Sequence, residues 1–204
     1  MDKWTNIPDE RTLLVTAGAL KKNGINVEIF ERGQEAKDKV FTMIPENAEV
    51  MNFTSVTLDT IGVSKEIVES GKYNAVRNKL NTMDKSRYLS QMRKLGSAPD
   101  WGVGSVHAVT QDGNLVFASF TGSQLAGYVF GATNIIWVVG AQKIVKNLDE
   151  AMERINTYVL PLENERAKKA YGSSGSAVNK ILIIKKELAP KRATLLIVKE
   201  KLGF

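Results

Sequence analysis

The sequence predicts an α/β protein: a mostly parallel sheet with helices on both faces and hairpin strands added to it. Three observations carry that expectation. Short apolar runs alternate along the 204 residues with segments of helical periodicity, the pattern of strands joined by helical crossovers. Residues 134–139 are apolar on what would be both faces of a strand, and such a strand must be covered on both sides. Residues 104–145 pack two short strands, a glycine-bounded helix, that apolar strand and a further glycine turn into one stretch. Glycine turns at the ends of buried strands are where α/β proteins build small-molecule sites.

Each element can be justified in turn. Residues 9–23 read as a helix: Pro8 suits its first turn, Leu13, Leu14, Ala17 and Leu20 form an apolar face, and Gly24 ends it. A strand follows at 26–30, a helix at 34–43 halted before Pro45, and a strand at 48–53. The run NFTSVTLDTIG turns into a helix that Thr54 or Ser55 can cap, with Asp59 near its positive end. Helices are expected at 65–70 and 84–95, the latter with Tyr88, Met92 and Leu95 as its apolar side. A short strand at 99–103 precedes strands at 105–110 and 115–119. These flank Gln111-Asp112-Gly113-Asn114 and so read as a hairpin. Residues 123–130 form a short helix closed by Gly131. A helix at 149–158 begins at the Asn147 and Asp149 cap signals and stops near Pro161. Gly172-Ser173-Ser174-Gly175-Ser176 reads as a flexible loop. Strands at 180–186 and 193–199 pair around Pro190, so the hairpins at 105–119 and 180–199 make the sheet mixed.

Composition narrows the function. Apolar residues make up 43% and charged residues 25%, ordinary values for a soluble chain with a buried core. The length suits a single domain over residues 1–204. There is no cysteine and one histidine. Disulfides, thiolate metal sites, a cysteine nucleophile and a cysteine-ligated iron–sulfur cluster are therefore excluded, and a zinc site is argued against. No cofactor is identifiable and no metal is expected. No apolar run has signal or membrane-spanning length, so the expectation is a cytoplasmic protein with no membrane partner. Net charge is +6. Residues 72–94 hold seven Lys and Arg against one acid, Asp84. This reads either as attraction for an anionic partner or as a solvated helix face. The few aromatics there, Tyr73 and Tyr88, and the absence of a nucleic-acid motif argue against nucleic acid.

Three turns carry candidate chemistry. At Asn52-Phe53-Thr54-Ser55-Val56-Thr57 a strand ends and hydroxyls sit over a helix start. They can cap the helix or, with its free N–H groups, hold a phosphate or carboxylate. Thr121-Gly122-Ser123-Gln124 repeats the arrangement, with Gly122 allowing close backbone approach. In Gly140-Ala141-Gln142-Lys143 the lysine follows the apolar strand, as a cation facing a ligand or as an ordinary exposed lysine. His107 can act as a base or serve structure, and Asp112 sits where a turn favours Asp for backbone reasons. Neither a P-loop nor GxGxxG is present.

These residues resemble a known family. AVTQDGNLV at 108–116, TGSQLAGYVFG at 121–131 and VVGAQKIV at 138–145 look like motifs of the LUD (lactate-utilisation) domain family. SVTLDTIG at 55–62 and the ending LLIVKEKLGF agree, in order, so the resemblance spans nearly the whole chain. It implies a three-layer α/β/α sandwich similar to the NagB/RpiA/CoA-transferase-like group, with the three turns near the carboxyl ends of the strands. It also implies lactate or related organic-acid metabolism, with iron–sulfur redox subunits as partners in some members. Departures are Gln111 where relatives carry Glu, Ser123-Gln124 where they carry Asn-Arg, and His107 where Asn is common. The cysteines that relatives often carry before the last strands are replaced by the 172–176 loop.

The resulting expectation is a protein that binds a small anionic or nucleotide-like metabolite through Ser55, Thr57, Gly122, Ser123 and Lys143. Asp112 and His107 are weaker catalytic candidates. One alternative is a non-enzymatic accessory or regulatory subunit of a lactate-oxidising system, favoured by Gln111. Another is a transferase or isomerase acting on a phosphorylated or CoA-linked substrate. A homodimer is the base-rate expectation.

Overall fold

The computed structural model describes residues 3–172 and 175–204, so Ser173 and Ser174 of the expected flexible loop lie outside the described residues. Helix α1 (Glu10–Lys22) is capped by the Asp9 carboxylate, which accepts from the Thr12 N–H, and it ends at Gly24 with φ of +81°. Strand β1 (Asn26–Phe30), helix α2 (Gly33–Met43) and strand β2 (Glu49–Asn52) follow where periodicity places them. Ser55 caps α3 (Val56–Thr60), and α4 (Val63–Glu69) succeeds it. The short strand β3 (Asn74–Ala75) and helix α5 (Val76–Thr82) were not foreseen. Their only buried side chains are Ala75 and Val76, too few to write a period. Helix α6 (Lys85–Ser97) buries none of its residues, and Tyr88, expected on an apolar side, is 43% exposed.

Next come β4 (Trp101–Gly104), β5 (Ala108–Thr110), β6 (Leu115–Ser119), β7 (Asn134–Gly140) and β8 (Ile144–Val145). The chain closes with α7 (Leu148–Arg154), α8 (Leu160–Tyr171), β9 (Lys180–Ile184) and β10 (Ala193–Val198). Six strands form one sheet in the order β1-β10-β7-β4-β2-β3, every pairing parallel. The other four form a second sheet, β8-β5-β6-β9, in which β5 and β6 make the expected hairpin. Two expectations are corrected here. The hairpin strands do not extend the main sheet. Nor do β9 and β10 pair with each other: β9 pairs antiparallel with β6, while β10 lies between β1 and β7. The burial patterns give the reason. Residues 193–198 are buried throughout, as an interior parallel strand requires, whereas 180–184 are largely exposed, as an edge strand tolerates.

Both faces of the main sheet are covered. One face packs Ile136, Val138, Leu196 and Val198 against α2, α3 and α4. The other packs Ile135, Trp137, Leu195 and Ile197 against α1 and the inner face of the small sheet. Ala108, Val116 and Ala118 on the outer face of the small sheet meet Ala151 and Ile155.

Helix α7 does not stop near Pro161. It runs through a π-helical turn, Ile155–Val159, into α8. The Leu160 N–H bonds Ile155 O across the widened turn, and Pro161 falls in the first turn of α8, where its missing N–H is not needed. A second π turn, Gly127–Gly131, replaces the expected end of the 123–130 helix. Arg192 holds that turn by donating to the carbonyls of Gly127, Tyr128 and Ala132 while pairing with Glu187 at 2.6 Å.

The Tyr128 ring meets Phe53 and Trp137 edge-on and Phe117 at a tilt. Its hydroxyl accepts from the Ser105 N–H and lies against the Cα of Gly104, where any Cβ would collide with it. Gly104→Ala should therefore cost about 1–3 kcal/mol by overpacking. Tyr128→Phe removes the obstructing oxygen, so in urea denaturation the double variant should be more stable than the sum of the two single effects predicts. Strict additivity would show that the hydroxyl is not the obstacle.

Candidate functional site: a basic cleft at the carboxyl ends of the sheet

Three adjacent parallel strands end at one place. Strand β2 delivers Thr54, Ser55 and Thr57, β4 delivers Ser105 and His107, and β7 delivers Lys143 through Gly140. A cleft of about 1190 Å³ opens there, lined by all of these residues and by the 118–124 loop, α6 and both π turns. Ser55, Thr57, Gly122, Ser123, Lys143 and His107 are thus brought together. Asp112 is not among them. It lies in the β5–β6 turn, its carboxylate accepting from the Asn114 amide and its carbonyl from Asn23 at the end of α1. Gln111 is in the same turn, tied to Val145 O, and does not line the cleft. A smaller opening of about 510 Å³ sits at the amino ends of β1 and β10 and contains none of these residues.

Lys143 is the unusual member. It is 3% exposed. Its Nζ donates to Thr57 Oγ1 at 3.0 Å, Val106 O at 3.2 Å and Ser105 Oγ at 3.3 Å. Among the described residues no carboxylate pairs with it. Lys199, by contrast, is held between Glu10 and Glu31 at 2.8 Å each, and its pKa is raised. Desolvation, followed by the nearby Arg154 charge, pushes the Lys143 amine well below the usual lysine range. Arg154 is fully buried and donates to His107 O at 2.6 Å.

Thr57 is spent locally. Its hydroxyl donates to Leu202 O and accepts from Lys143, so it positions the amine. Ser55 is half-buried and its oxygen accepts the Leu58 N–H at 3.4 Å, a long bond. Gly122 has φ of +87°, and its N–H donates to Ser119 Oγ. Ser123 is exposed and shares hydroxyl contacts with Thr121. Gln124, which stands where relatives carry Arg, is bound to Ser119 and the Ala118 carbonyl.

His107 precedes β5 rather than lying inside a strand. Its Nδ1 accepts the Ala118 N–H at 3.1 Å, which leaves the proton on Nε2 of the neutral ring. Burial, with Lys143 and Arg154 adding to it, pushes its pKa down to about 3. An asparagine oxygen can accept the same N–H.

The cations of residues 72–94 read from sequence either as an attraction for an anionic partner or as a solvated helix face. Arg77, Lys85, Arg93 and Lys94 in fact line the cleft, with Arg166 on the facing helix. Arg77 crosses from α5 to donate to Asn52 O and Thr54 Oγ1 at the end of β2. Glu163 is the carboxylic side chain in the lining, and Arg166 binds both of its oxygens at 2.7 Å. The seven-to-one charge imbalance was the signal for this wall. Its direction was not readable, because α6 shows no buried face to orient it. Among the described residues, no group of three or more His, Asp or Glu is placed to hold a metal ion, and no helix is long and apolar enough to cross a membrane.

Fold and site together define an α/β protein with a basic cleft at the carboxyl edge of a parallel sheet. The family model for the LUD domain matches residues 14–198, and the chain belongs to that family, which is associated with lactate utilisation. Among solved structures, a DUF162 family protein from Deinococcus radiodurans shares the fold. Its TM-score is 0.57 at 10% identity, over 94% of this chain and 99% of that one. A search of curated proteins finds no match.

His107 and Lys143 both have folded pKa values below their unfolded ones. The unfolded chain therefore binds more protons, and stability rises with pH. For His107 the rise falls between about 3 and 6.5. For Lys143 it continues toward 10.5. His107→Asn should flatten the thermal midpoint profile between about pH 4 and pH 6.5, and Lys143→Met should flatten it on the alkaline side. An unchanged slope in both variants would mean that neither group is held neutral.

Proposed function

We propose that this protein binds an extended anionic metabolite, nucleotide-like in size, in the cleft, within lactate or related organic-acid metabolism. One observation carries the reading: the cleft at the carboxyl ends of the strands is walled by Arg77, Lys85, Arg93 and Lys94, and Glu163, the carboxylic side chain in its lining, is already bound by Arg166. The volume supports an extended ligand. A lactate ion would occupy a small part of about 1190 Å³, a size nearer the range that holds drug-sized molecules. In this arrangement Arg77, Arg93 and Lys94 attract the anionic groups and Ser55, Ser123 and the Gly122 turn supply polar contacts. Thr57 and Ser105 aim Lys143 at the innermost group.

The accessory-subunit reading drew on Gln111, and a residue outside the cleft lends it little. The transferase reading needs a carboxylate free to attack, and Glu163 is occupied by Arg166. Any electron transfer would pass to a partner, such as an iron–sulfur subunit, since no cysteine is present here. A protein of this kind would work in the cytoplasm, as a homodimer or otherwise.

Thermal-shift titration with lactate, pyruvate, inorganic phosphate, ATP and coenzyme A tests the reading. A ligand at about a hundred times its dissociation constant should add about 2.7 kcal/mol. For a chain of this length that is a rise of roughly 5–10 °C. The rise should shrink with added salt and in an Arg93→Glu, Lys94→Glu variant, whose exposed changes leave the fold intact. No rise with any of the five, or a rise indifferent to both salt and charge reversal, would overturn it.

A further inference from the structure

We propose that Lys143 is a covalent centre, whose Nζ condenses with the carbonyl of an anionic ketone or aldehyde bound in the cleft to form an imine. The inference rests on the anion-binding reading above and adds a chemical role for the innermost group. Three features of the geometry support it. Nζ is fixed by three oxygens, two of them hydroxyls on different strand ends, so its direction is set before any ligand arrives. Those partners are neutral, unlike the carboxylates that hold Lys199 as an ammonium. Other cations line the cleft walls, so the ligand's charge can be met without Lys143.

The physical chemistry runs the same way. An amine buried beside Arg154 is disfavoured as an ammonium, and a desolvated lysine near another cation is the activated form of this nucleophile. A neutral amine is a poor anion clamp and a good nucleophile. As a neutral amine Nζ has two protons, which Thr57 Oγ1 and Val106 O accept, so its lone pair lies on the side of the longer Ser105 contact; that pair attacks the carbonyl carbon, and the C–O π pair moves to oxygen. The two Nζ protons then leave with that oxygen as water, and the C=N bond forms. Ser105 Oγ, half-exposed and 3.3 Å from Nζ, is placed to pass a proton from nitrogen to the departing oxygen. Atoms and electrons balance without an oxidant or reductant. The imine is reversible and withdraws electrons from the adjacent carbon, the property that supports proton abstraction or bond cleavage there.

The test uses the intact protein with two probes, pyruvate and pyridoxal 5′-phosphate, each followed by borohydride reduction and peptide mapping by mass spectrometry. The expected result is a reduced adduct at Lys143 exceeding that at Lys85 and Lys94 on the cleft wall. It should form faster as pH rises through the titration of the amine and be lost in Lys143→Arg. Thermal shifts with the same probes, without reductant, separate the two readings. A shift with no adduct at Lys143 overturns the imine and leaves anion binding standing. Neither shift nor adduct overturns both. Adducts spread evenly over surface lysines overturn the imine whether or not the Arg variant folds, because mapping on the unaltered protein decides that outcome.

Discussion

A strand apolar on both sides has no face to show to water, so every residue in it demands a covering layer. Asn134–Gly140 imposes that demand at the centre of this molecule. Ile135, Trp137 and Val139 point into one core, Ile136 and Val138 into the other. Each such side chain contributes about 1.5–3 kcal/mol when fully buried. The burial can be complete only if β4 and β10 flank the strand in parallel, α2 to α4 close one face, and α1 with the small sheet closes the other. The parallel arrangement in turn puts the carboxyl ends of β2, β4 and β7 side by side. The cleft is a consequence of how that one strand is covered.

The charged side chains that this packing buries, Lys143 and Arg154, lie at the same edge, beside His107. Lys143, Arg154 and His107 carry two potential cations and a neutral imidazole into a region that desolvates all three. Lys143 donates to two hydroxyls and a carbonyl, Arg154 donates to the His107 carbonyl, and His107 accepts the Ala118 N–H. Both π turns among the described residues border the cleft as well, one contributing Tyr128 and the other Ile155 and Val159. Widened helical turns and a buried lysine held by neutral oxygens both cost stability, and their gathering at one strand edge is the local conflict expected where a protein keeps a site.

Much of the fold was legible because local chemistry and tertiary demand agreed. Ser55 and Asn147 cap the helices expected to start at them, and Asp9 and Asp84, expected as first helical residues, stand one place earlier as caps. The QDGN turn joins the hairpin as written, with Gly113 at φ of +88° against α1. Failures came where non-local partners decided. Pro161 is a stop signal for an α-helix, but a π turn upstream changes the hydrogen-bond register that proline would have broken. Strands 180–184 and 193–198 are neighbours in sequence with a turn between them, yet one needs an edge and the other an interior position. At the site, the three glycine-and-hydroxyl turns were visible and do converge. The basic wall was visible only as a charge count, since exposed helices leave no period by which to orient them.

By itself the sequence determined the class of fold, the family, the caps and turns, and the exclusion of thiol chemistry, all of which depend on residue type and short spacing. The tertiary structure alone decided that Lys143 is buried rather than solvent-facing, and that the Thr57 hydroxyl bonds the lysine and the Leu202 carbonyl. It also decided that Asp112 and Gln111 stand apart from the cleft. The reason is that a side chain's solvation and its partners are set by strands far apart in sequence. Ser105, Thr57 and the carbonyl of Val106 meet Lys143 only because three parallel strands end together, and no spacing along the chain records that meeting.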